Sequence, residues 1–541
     1  MDAFFLQRAS PRTIFTLCAI LLLAIVSSRS QTACVSRERI AALKNDVVVL
    51  KDPKPDDKLR DQILSINAQE IKDLQTAAKK EPDNNKKSPL TEAITQKVAE
   101  QLCSILSSNA WPVKSTVGPE AASIWIRLIR INLPFSVQRE LAQVISAAVE
   151  KNEVDKNLDL AAMIDRLRLA AGAPQIFGTQ AVPQNGFLVL WPLQSEERAD
   201  AFRADYGMGR LRDGIRSLEL SYRMPVVRST AKAAKVPVSR GDDSGRGDTP
   251  LLPNDTGEKE VMRVDTSLVS IDAVVNGPAS VKLEKSDFKI FEDGQEQQVE
   301  VFGAAESPSD VVLLLDLSGS TADKIGLIKK TTKQFIEMKR DVDRVAIVTF
   351  AGGQTVVSPL EIDKAKLLDR VGKLKDSGES KVWDSIKFAL DLLNRESPKD
   401  RRRAVVVMTD GVDNALAYEP GFGSNTLFAD LLEAVRNGTT AVFPIYLDTE
   451  GNDSVSNRMY GDARRTLQLL ADESGGVYYA AKDIENLSEV YAKVLKDLGQ
   501  VYSLGYEPKN SVRDGAWRSI KVEIPGHPEL KVRARTGYYA K

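Results

Sequence analysis

The residues of this sequence best suited to chemistry form a short polar stretch directly after an apolar run. Asp316, Ser318 and Ser320 follow residues 311–315 at a spacing of two, and Gly319 permits a tight turn between the serines. A carboxylate and two hydroxyls on one turn present hard oxygen atoms, which are the ligands that Mg²⁺ and Mn²⁺ prefer. The stretch indicates a divalent-cation site, but a five-residue stretch that contains serines is a weak signal without its sequence context.

Two apolar runs are expected to position this site. Residues 311–315 and 403–408 are short runs that are apolar apart from Arg403 at the start of the second, which is typical of strands buried on both faces of a parallel sheet. The first run ends at Asp316 and the second is followed by Thr409 and Asp410. Because strands and amphipathic helical stretches alternate here, the pattern predicts a doubly wound sheet with its site at the carboxyl ends of the strands.

A third polar segment, Gly378-Glu379-Ser380, precedes the amphipathic stretch 382–393. With it, residues 310–499 resemble a von Willebrand factor type A domain, and the polar loops resemble its metal-ion-dependent adhesion site. The resemblance implies that hydroxyl oxygens bind Mg²⁺ or Mn²⁺ directly, that aspartates often act through water, and that one position is left for an acidic side chain of a partner protein. The implied metal ligands are Asp316, Ser318, Ser320, Ser380 and Asp410.

Ser380 departs from the family pattern, which usually has threonine at this position. Serine keeps the oxygen but lacks the β-branch that stiffens χ1, so the ligand is less preorganised. Ser377 is a nearby competitor for the role, although the spacing to Trp383 and Asp384 favours Ser380.

Composition narrows the function classes. A chain of 541 residues is long enough for about two to four domains. Its 74 Lys and Arg residues nearly balance 75 Asp and Glu residues, so no overall field favours nucleic acid or an anionic membrane, and we expect no nucleic-acid partner. The one histidine, His527, lies in a Pro-Gly-His-Pro turn, which argues against histidine-based catalysis or zinc binding.

Residues 1–30 have the features of a secretory signal peptide. Arg8 and Arg12 precede an apolar segment at 14–26, and residues 28–30 form a small-x-small cleavage site. The apolar segment is too short to span a bilayer comfortably, so no stable membrane span is expected after cleavage. We therefore expect a secreted or periplasmic protein of bacterial type, with an uncleaved anchor or a lipid on Cys34 as alternatives.

Two cysteines, Cys34 and Cys103, remain after removal of the signal segment that contains Cys18. An even pair in an exported protein favours a disulfide, with two buried thiols as the alternative.

Residues 31–225 are predicted to form a mostly helical domain. Asp165-Arg166, followed by Gln175 and then Gly178-Thr179-Gln180, resembles the signature of a bacterial domain of unknown function, which implies no particular chemistry. Gln175 and Gln180 are expected to bridge backbone groups of a loop, and a ligand site is the alternative.

The rest of the chain is divided by composition. Residues 226–260 read as a flexible linker, because they are polar and lack periodicity. Strand patterns at 261–305 and 500–541 predict the two parts of one small β-sandwich, which flanks the type A domain at 306–499. The predicted fold is multidomain: an α-helical N-terminal domain, a β-sandwich built from two flanking segments, and an α/β doubly wound, Rossmann-like domain.

These expectations favour an exported, non-enzymatic protein of adhesion type. The first alternative is a structural component of the cell envelope with a vestigial metal site. The second is an enzyme, either through the N-terminal domain or through Asp316 as a phosphoryl-accepting nucleophile. The latter lacks its usual second aspartate, since Ser318 stands two residues on.

Overall fold

The computed structural model describes most of the chain outside its first 33 residues. The predicted signal peptide and most of the predicted linker lie outside the described part. The described residues are 34–51, 53–80, 89–230, 268–277, 283–303, 307–318, 325–350, 353–374, 381–398, 401–413, 423–447, 454–481 and 487–540. They belong to two compact units, the first formed mainly by residues up to 222 and the second by 183–188, 223–230 and the chain after 259.

The first unit is helical, as the sequence predicts. Serine or asparagine side chains cap several of its helices, with Ser36, Asn157 and Ser195 each accepting a backbone N–H of the first turn. The apolar stripes of the helices meet in one core around Trp125 and Leu141. The helices are α1 (Arg37–Val48), α2 (Asp57–Lys80), α3 (Pro89–Ser108), α4 (Lys114–Asn132), α5 (Phe135–Glu150), α6 (Leu158–Ala170), α7 (Glu196–Asp205) and α8 (Leu211–Tyr222).

A disulfide joins Cys34, just before α1, to Cys103 within α3. The pairing favoured by the sequence is confirmed. It closes a loop with a sequence separation of 69 residues, so it links the start of the described chain to the helical core.

Asp165 is the centre of the polar signature in this unit. Its carboxylate accepts hydrogen bonds from the backbone N–H groups of Ile176 (2.7 Å), Phe177 (3.0 Å) and Thr179 (3.0 Å), and from the Thr179 hydroxyl (2.8 Å). Burial raises the pKa of Asp165, although these hydrogen bonds oppose the shift. The aspartate thus shapes the loop that follows α6.

The two glutamines of the signature act on the same loop. Gln175 Nε2 donates to the carbonyls of Gln180 (3.1 Å) and Trp191 (2.7 Å), and Gln180 Nε2 donates to the Ala162 carbonyl (3.2 Å). The predicted bridging of backbone groups is confirmed. These contacts give the signature a structural role.

A small sheet contains β1 (Ala181–Gln184), β2 (Phe187–Leu190) and β3 (Val226–Arg228), in that order. The third strand begins at the residue where the linker was expected to start. Val226 and Val227 are buried, and two adjacent β-branched apolar residues suit a half-buried strand better than a solvated linker. Residues 226–228 therefore form a strand rather than the start of a linker.

The second unit alternates strands and helices between two β-rich flanks. Among the described residues, no helix in either unit has the length and apolar character required to cross a bilayer. In chain order the elements are β4 (Val269–Asn276), β5 (Lys289–Glu292), β6 (Gln295–Gln297), β7 (Val301–Gly303), β8 (Ser309–Asp316), α9 (Ile325–Met338), β9 (Arg344–Phe350), β10 (Gln354–Glu361), α10 (Lys364–Gly372), α11 (Val382–Glu396), β11 (Arg402–Thr409), α12 (Phe428–Asn437), β12 (Ala441–Leu447), α13 (Ser454–Ser474), β13 (Tyr479–Ala481), α14 (Leu487–Gly499), β14 (Val501–Tyr506), β15 (Trp517–Glu523), β16 (Lys531–Arg533) and β17 (Gly537–Tyr539).

The central sheet of this unit has the order β10-β9-β8-β11-β12-β13. All neighbouring pairs are parallel except β10 with β9, so β10 is an antiparallel edge strand. Strand β8 lies between β9 and β11, and the chain order reverses there. This arrangement confirms the doubly wound α/β fold and places the carboxyl ends of β8 and β11 side by side.

The β-sandwich is assembled from both flanks of the α/β domain, as predicted. Its sheets have the orders β16-β4-β14-β7 and β17-β15-β5-β6. Residues from both sheets share one core, including Ile271, Ile290, Leu504 and Val522. Within residues 530–536, only 531–533 form a strand, β16, which pairs with β4, and the chain then crosses to the other sheet as β17.

Candidate functional site

Asp316 ends the central strand of the α/β sheet. All eight residues of β8 are buried, and β8 pairs in parallel with β9 on one side and β11 on the other. The apolar run 311–315 within β8 suits this double burial. At the carboxyl end of this run the chain becomes polar again, so the Asp316 carboxylate lies at the sheet edge where sites form in this class of fold, with its side chain fully buried.

Both oxygens of Asp316 accept hydrogen bonds. Oδ1 accepts the backbone N–H of Ser318 at 3.0 Å, and Oδ2 accepts the hydroxyl of Thr409 at 2.6 Å. The same Thr409 oxygen accepts the backbone N–H of Gly411 at 2.8 Å. Thr409 was predicted from the sequence only to end a strand. Its signal was its position immediately before Asp410, on the strand next to β8.

Asp410 brings a second buried carboxylate to this edge. It follows Thr409 directly, and its Oδ1 accepts the backbone N–H of Val412 at 3.2 Å. Burial and the nearby negative charge of Asp410 raise the pKa of Asp316 to about 7, against the hydrogen bonds from Ser318 and Thr409. Two like charges close together in a buried position favour protonation unless a cation is present.

Gly411 allows the loop after β11 to approach α13 closely. Its φ is +74°, and a Cβ at this position would lie 2.7 Å from Leu467 Cδ1 and 3.2 Å from Ala463 Cβ. Other residues rarely adopt this φ, and no side chain fits the space. Glycine thus fixes the path of the chain beside Asp410.

Asp413 holds two neighbouring loops. It is 5% exposed, and its Oδ2 accepts the backbone N–H of Trp383 at 2.9 Å and the hydroxyl of Ser424 at 2.6 Å. Its Oδ1 accepts the backbone N–H of Ser424 at 3.0 Å. Asp413 was not among the site residues predicted from the sequence, although its place three residues after Asp410 was an available signal.

Asp384 completes the contacts between these loops. Its own backbone N–H donates to the Ser424 hydroxyl at 2.9 Å. Its carboxylate accepts the backbone N–H groups of Asn425 (2.9 Å) and Thr426 (2.8 Å), just before α12. The start of α11 is therefore tied to the start of α12.

The structure describes three of the five residues predicted to hold a metal. Asp316, Ser318 and Asp410 are all buried at one sheet edge, and the Thr409–Asp316 hydrogen bond shows that the ends of β8 and β11 are adjacent. Ser320 and Ser380 lie outside the described residues. Among the residues that are described, no group of three or more His, Cys, Asp or Glu side chains could hold a metal ion.

The donor types at this edge nevertheless fit a hard divalent cation. Carboxylate and hydroxyl oxygens are the ligands that suit Mg²⁺ and Mn²⁺, whereas thiolate and imidazole would indicate a softer metal. A site of this kind needs only two carboxylates, because hydroxyls and waters supply the other oxygens. The like charges of Asp316 and Asp410 are what a divalent cation between such carboxylates would compensate.

Comparison with known families gives matches in two regions of the chain. Residues 311–412 match the von Willebrand factor type A domain. Residues 55–227 match a family of unknown function (DUF6624), which includes the region of the Asp165 signature. The chain therefore carries a von Willebrand factor type A domain together with a helical region whose family has no assigned function.

One curated protein with a similar stretch is a probable E3 ubiquitin-protein ligase, WAVH2, of Arabidopsis thaliana. The two are 29% identical over 119 residues, which is 20% of this chain and 16% of the plant protein. The similarity thus spans well under two thirds of that protein.

Several solved structures resemble part of the chain. A von Willebrand factor type A protein from Catenulispora acidiphila is 18% identical, with a TM-score of 0.30 over 52% of this chain and 65% of its own. The von Willebrand factor domain of the type V pili tip protein Mfa5 from Porphyromonas gingivalis is 13% identical, with a TM-score of 0.28 over 35% and 94%. An aerotolerance-related membrane protein from Bacteroides fragilis is 16% identical, with a TM-score of 0.27 over 35% and 98%.

Proposed function

We propose that this protein is an exported, non-enzymatic binding protein of adhesion type. Its type A domain holds Mg²⁺ or Mn²⁺ through Asp316, Ser318, Ser320, Ser380 and Asp410, and an acidic side chain of a partner protein completes the coordination of the ion. One observation supports this most strongly: two buried carboxylates and two hydroxyls occupy the adjacent carboxyl ends of β8 and β11.

The hydrogen bonds of Asp316 favour an indirect role for this carboxylate. Both of its oxygens already accept a donor, from Ser318 N–H and from the Thr409 hydroxyl. A carboxylate bound in this way orients water at a metal better than it binds the ion itself. The bound ion would supply a positive charge that attracts a partner's carboxylate, and Mg²⁺ usually keeps waters that such a group can replace.

Enzymatic roles have less support from the site. The ligase description belongs to the plant protein as a whole, of which only 16% is matched. A phosphoryl-accepting Asp316 would need a second acid or base beside it, and the residue two positions on is Ser318. The donors at the site orient Asp316 from both sides and leave neither oxygen without a hydrogen bond.

Titration of Mg²⁺ and Mn²⁺ into the purified protein, measured by calorimetry, tests this function. We expect saturable binding with one ion per chain, and loss of that binding in Asp316→Ala. Asp343→Ala is a suitable control, because this aspartate is also buried but accepts the Ser309 N–H, at the start of β8. Absence of metal binding in the wild-type protein, even with excess acetate as a carboxylate probe, would contradict the proposal and favour an envelope component with a vestigial site.

A further inference from the structure

Three short segments of the chain are joined through shared hydrogen bonds: the start of α11, the residues that follow β11 and the residues that precede α12. Asp413 accepts from Trp383 N–H and from both the N–H and the hydroxyl of Ser424. The Ser424 hydroxyl in turn accepts the N–H of Asp384. We call Trp383, Asp384, Asp413 and Ser424 the three-segment clamp, since each segment is bonded to the other two.

Asp413 is poorly placed to be a metal ligand itself, although it lies three residues from Asp410. It is 5% exposed, and its two oxygens accept three hydrogen bonds at 2.6–3.0 Å. A carboxylate has about four acceptor positions, so little of its capacity remains. Its effect on the site must pass through the groups that it holds.

Those groups are the starts of two helices. Trp383 and Asp384 open α11, three and four residues after Ser380 in the sequence. Trp383 is 2% exposed, and its ring lies 5.5 Å from that of Phe428 at the start of α12. The clamp therefore attaches the end of β11 to a packed and rigid part of the domain.

We propose that Asp413 is a positioning residue, which fixes the loop after β11, with Asp410, relative to the start of α11, before which Ser380 lies in the chain. The inference rests on the proposed metal site. Mg²⁺ requires nearly ideal octahedral geometry, so ligands on separate loops must be held in register. Changing residues that orient metal ligands typically lowers metal affinity about 10–100-fold.

The experiment measures Mn²⁺ binding to the full chain by electron paramagnetic resonance, which reports both the free ion and the symmetry of the bound ion. In Asp413→Asn, an amide nitrogen replaces one acceptor oxygen, so at least one donor loses its partner. We expect an increase of about 10–100-fold in the Mn²⁺ dissociation constant and a changed spectrum of the bound ion. Ser424→Ala should also increase the dissociation constant and change the spectrum. Ser424→Thr, which keeps the hydroxyl, should stay close to wild type in both measurements.

A matched variant separates positioning from simple loss of stability. Asp343 is also 5% exposed and also accepts a backbone N–H, from Ser309 at 2.8 Å, but at the amino end of β8. Asp343→Asn should lower the unfolding temperature without changing Mn²⁺ affinity or the spectrum. A purely structural role of Asp413 would give the same result in Asp413→Asn.

The possible outcomes separate the positioning role of Asp413 from the proposed metal site. Mn²⁺ binding that is lost in Asp316→Ala but unchanged in Asp413→Asn and Ser424→Ala would overturn the positioning role and leave the metal site intact. No binding by the wild-type protein would overturn both proposals. If Asp413→Asn does not fold, Ser424→Ala carries the test, because it removes a single hydroxyl.

Discussion

The hydroxyl of Thr409 donates a 2.6 Å hydrogen bond to Oδ2 of Asp316, across the adjacent strands β11 and β8. Both side chains are fully buried. Because the same hydroxyl accepts the N–H of Gly411, one oxygen atom fixes the Asp316 carboxylate and the turn beyond Asp410 together.

Replacing Thr409 with valine should weaken both features. Valine has nearly the same shape but neither donates to Asp316 nor accepts from Gly411. Loss of a buried hydrogen-bond partner costs about 1–3 kcal/mol, so the free energy of unfolding should fall by that amount, with weaker Mn²⁺ binding. Urea unfolding and Mn²⁺ titration measure the two effects, and Thr409→Ser serves as the control that keeps the hydroxyl. Wild-type Mn²⁺ affinity in Thr409→Val would show that Asp316 is oriented without it.

Gly411→Ala should destabilise the second unit. The new methyl group would meet Leu467 and Ala463, and the φ of +74° is unfavourable for alanine. The strain of this backbone conformation costs about 1–2 kcal/mol and the steric overlap about 1–3 kcal/mol more. The contrasting variant is Gly326→Ala in α9, where a Cβ meets nothing within 4 Å and alanine favours the helix. Equal unfolding temperatures for the two variants would refute this account.

The charged carboxylate of Asp310 should stabilise the second unit at neutral pH, and this contribution should be lost in acid. Burial would raise the pKa of Asp310, but hydrogen bonds from Arg344, Ser397 and Arg401 outweigh it and hold the pKa below its ordinary value. A carboxyl group whose pKa is lower in the folded state favours folding above the unfolded-state pKa, and this contribution is lost as the pH falls through the folded-state pKa.

Asp310→Asn should therefore be less stable than wild type at neutral pH, and the difference should narrow in acid. Denaturant unfolding of both proteins from neutral pH down to about pH 3 measures this. A difference that stays constant over this range would mean that the charge of Asp310 makes no contribution.

The disulfide between Cys34 and Cys103 should stabilise the helical unit. For a sequence separation of 69 residues, the chain-entropy model gives about 4 kcal/mol. The double variant Cys34→Ser/Cys103→Ser should unfold at lower temperature in calorimetry, and wild type with reductant should match it. Reductant should not affect the double variant further. An unchanged unfolding temperature in both cases would contradict the stabilising role.

The sequence predicted the α/β sheet well because its central strands have a simple physical signature. Residues 311–315 and 404–408 are continuously apolar, and such short runs favour strands covered on both faces. The aspartates that follow these runs, Asp316 and Asp410, are therefore expected at the same edge of the sheet. The joining of the two β-rich flanks in one sandwich was also predictable, because strand patterns recur on both sides of the α/β domain.

The three-segment clamp could not be predicted in the same way. Asp413 and Ser424 are separated by ten residues, and Asp413 binds mainly backbone N–H groups, which every residue type except proline offers. The change of sheet between β16 and β17 was hidden for a related reason. Alternating polarity at residues 530–536 fits a strand in either sheet, so only the packed core decides the partner.

Strands β7 and β14, by which the chain enters and leaves the type A domain, are hydrogen-bonded neighbours, with Gly303 opposite Ser503 and Phe302 opposite Leu504. Tension applied along the chain would therefore act on the hydrogen bonds between these two strands before it could stretch the domain between them. If the metal site binds a partner under mechanical load, the pairing of β7 with β14 would protect the geometry of the site until these hydrogen bonds break.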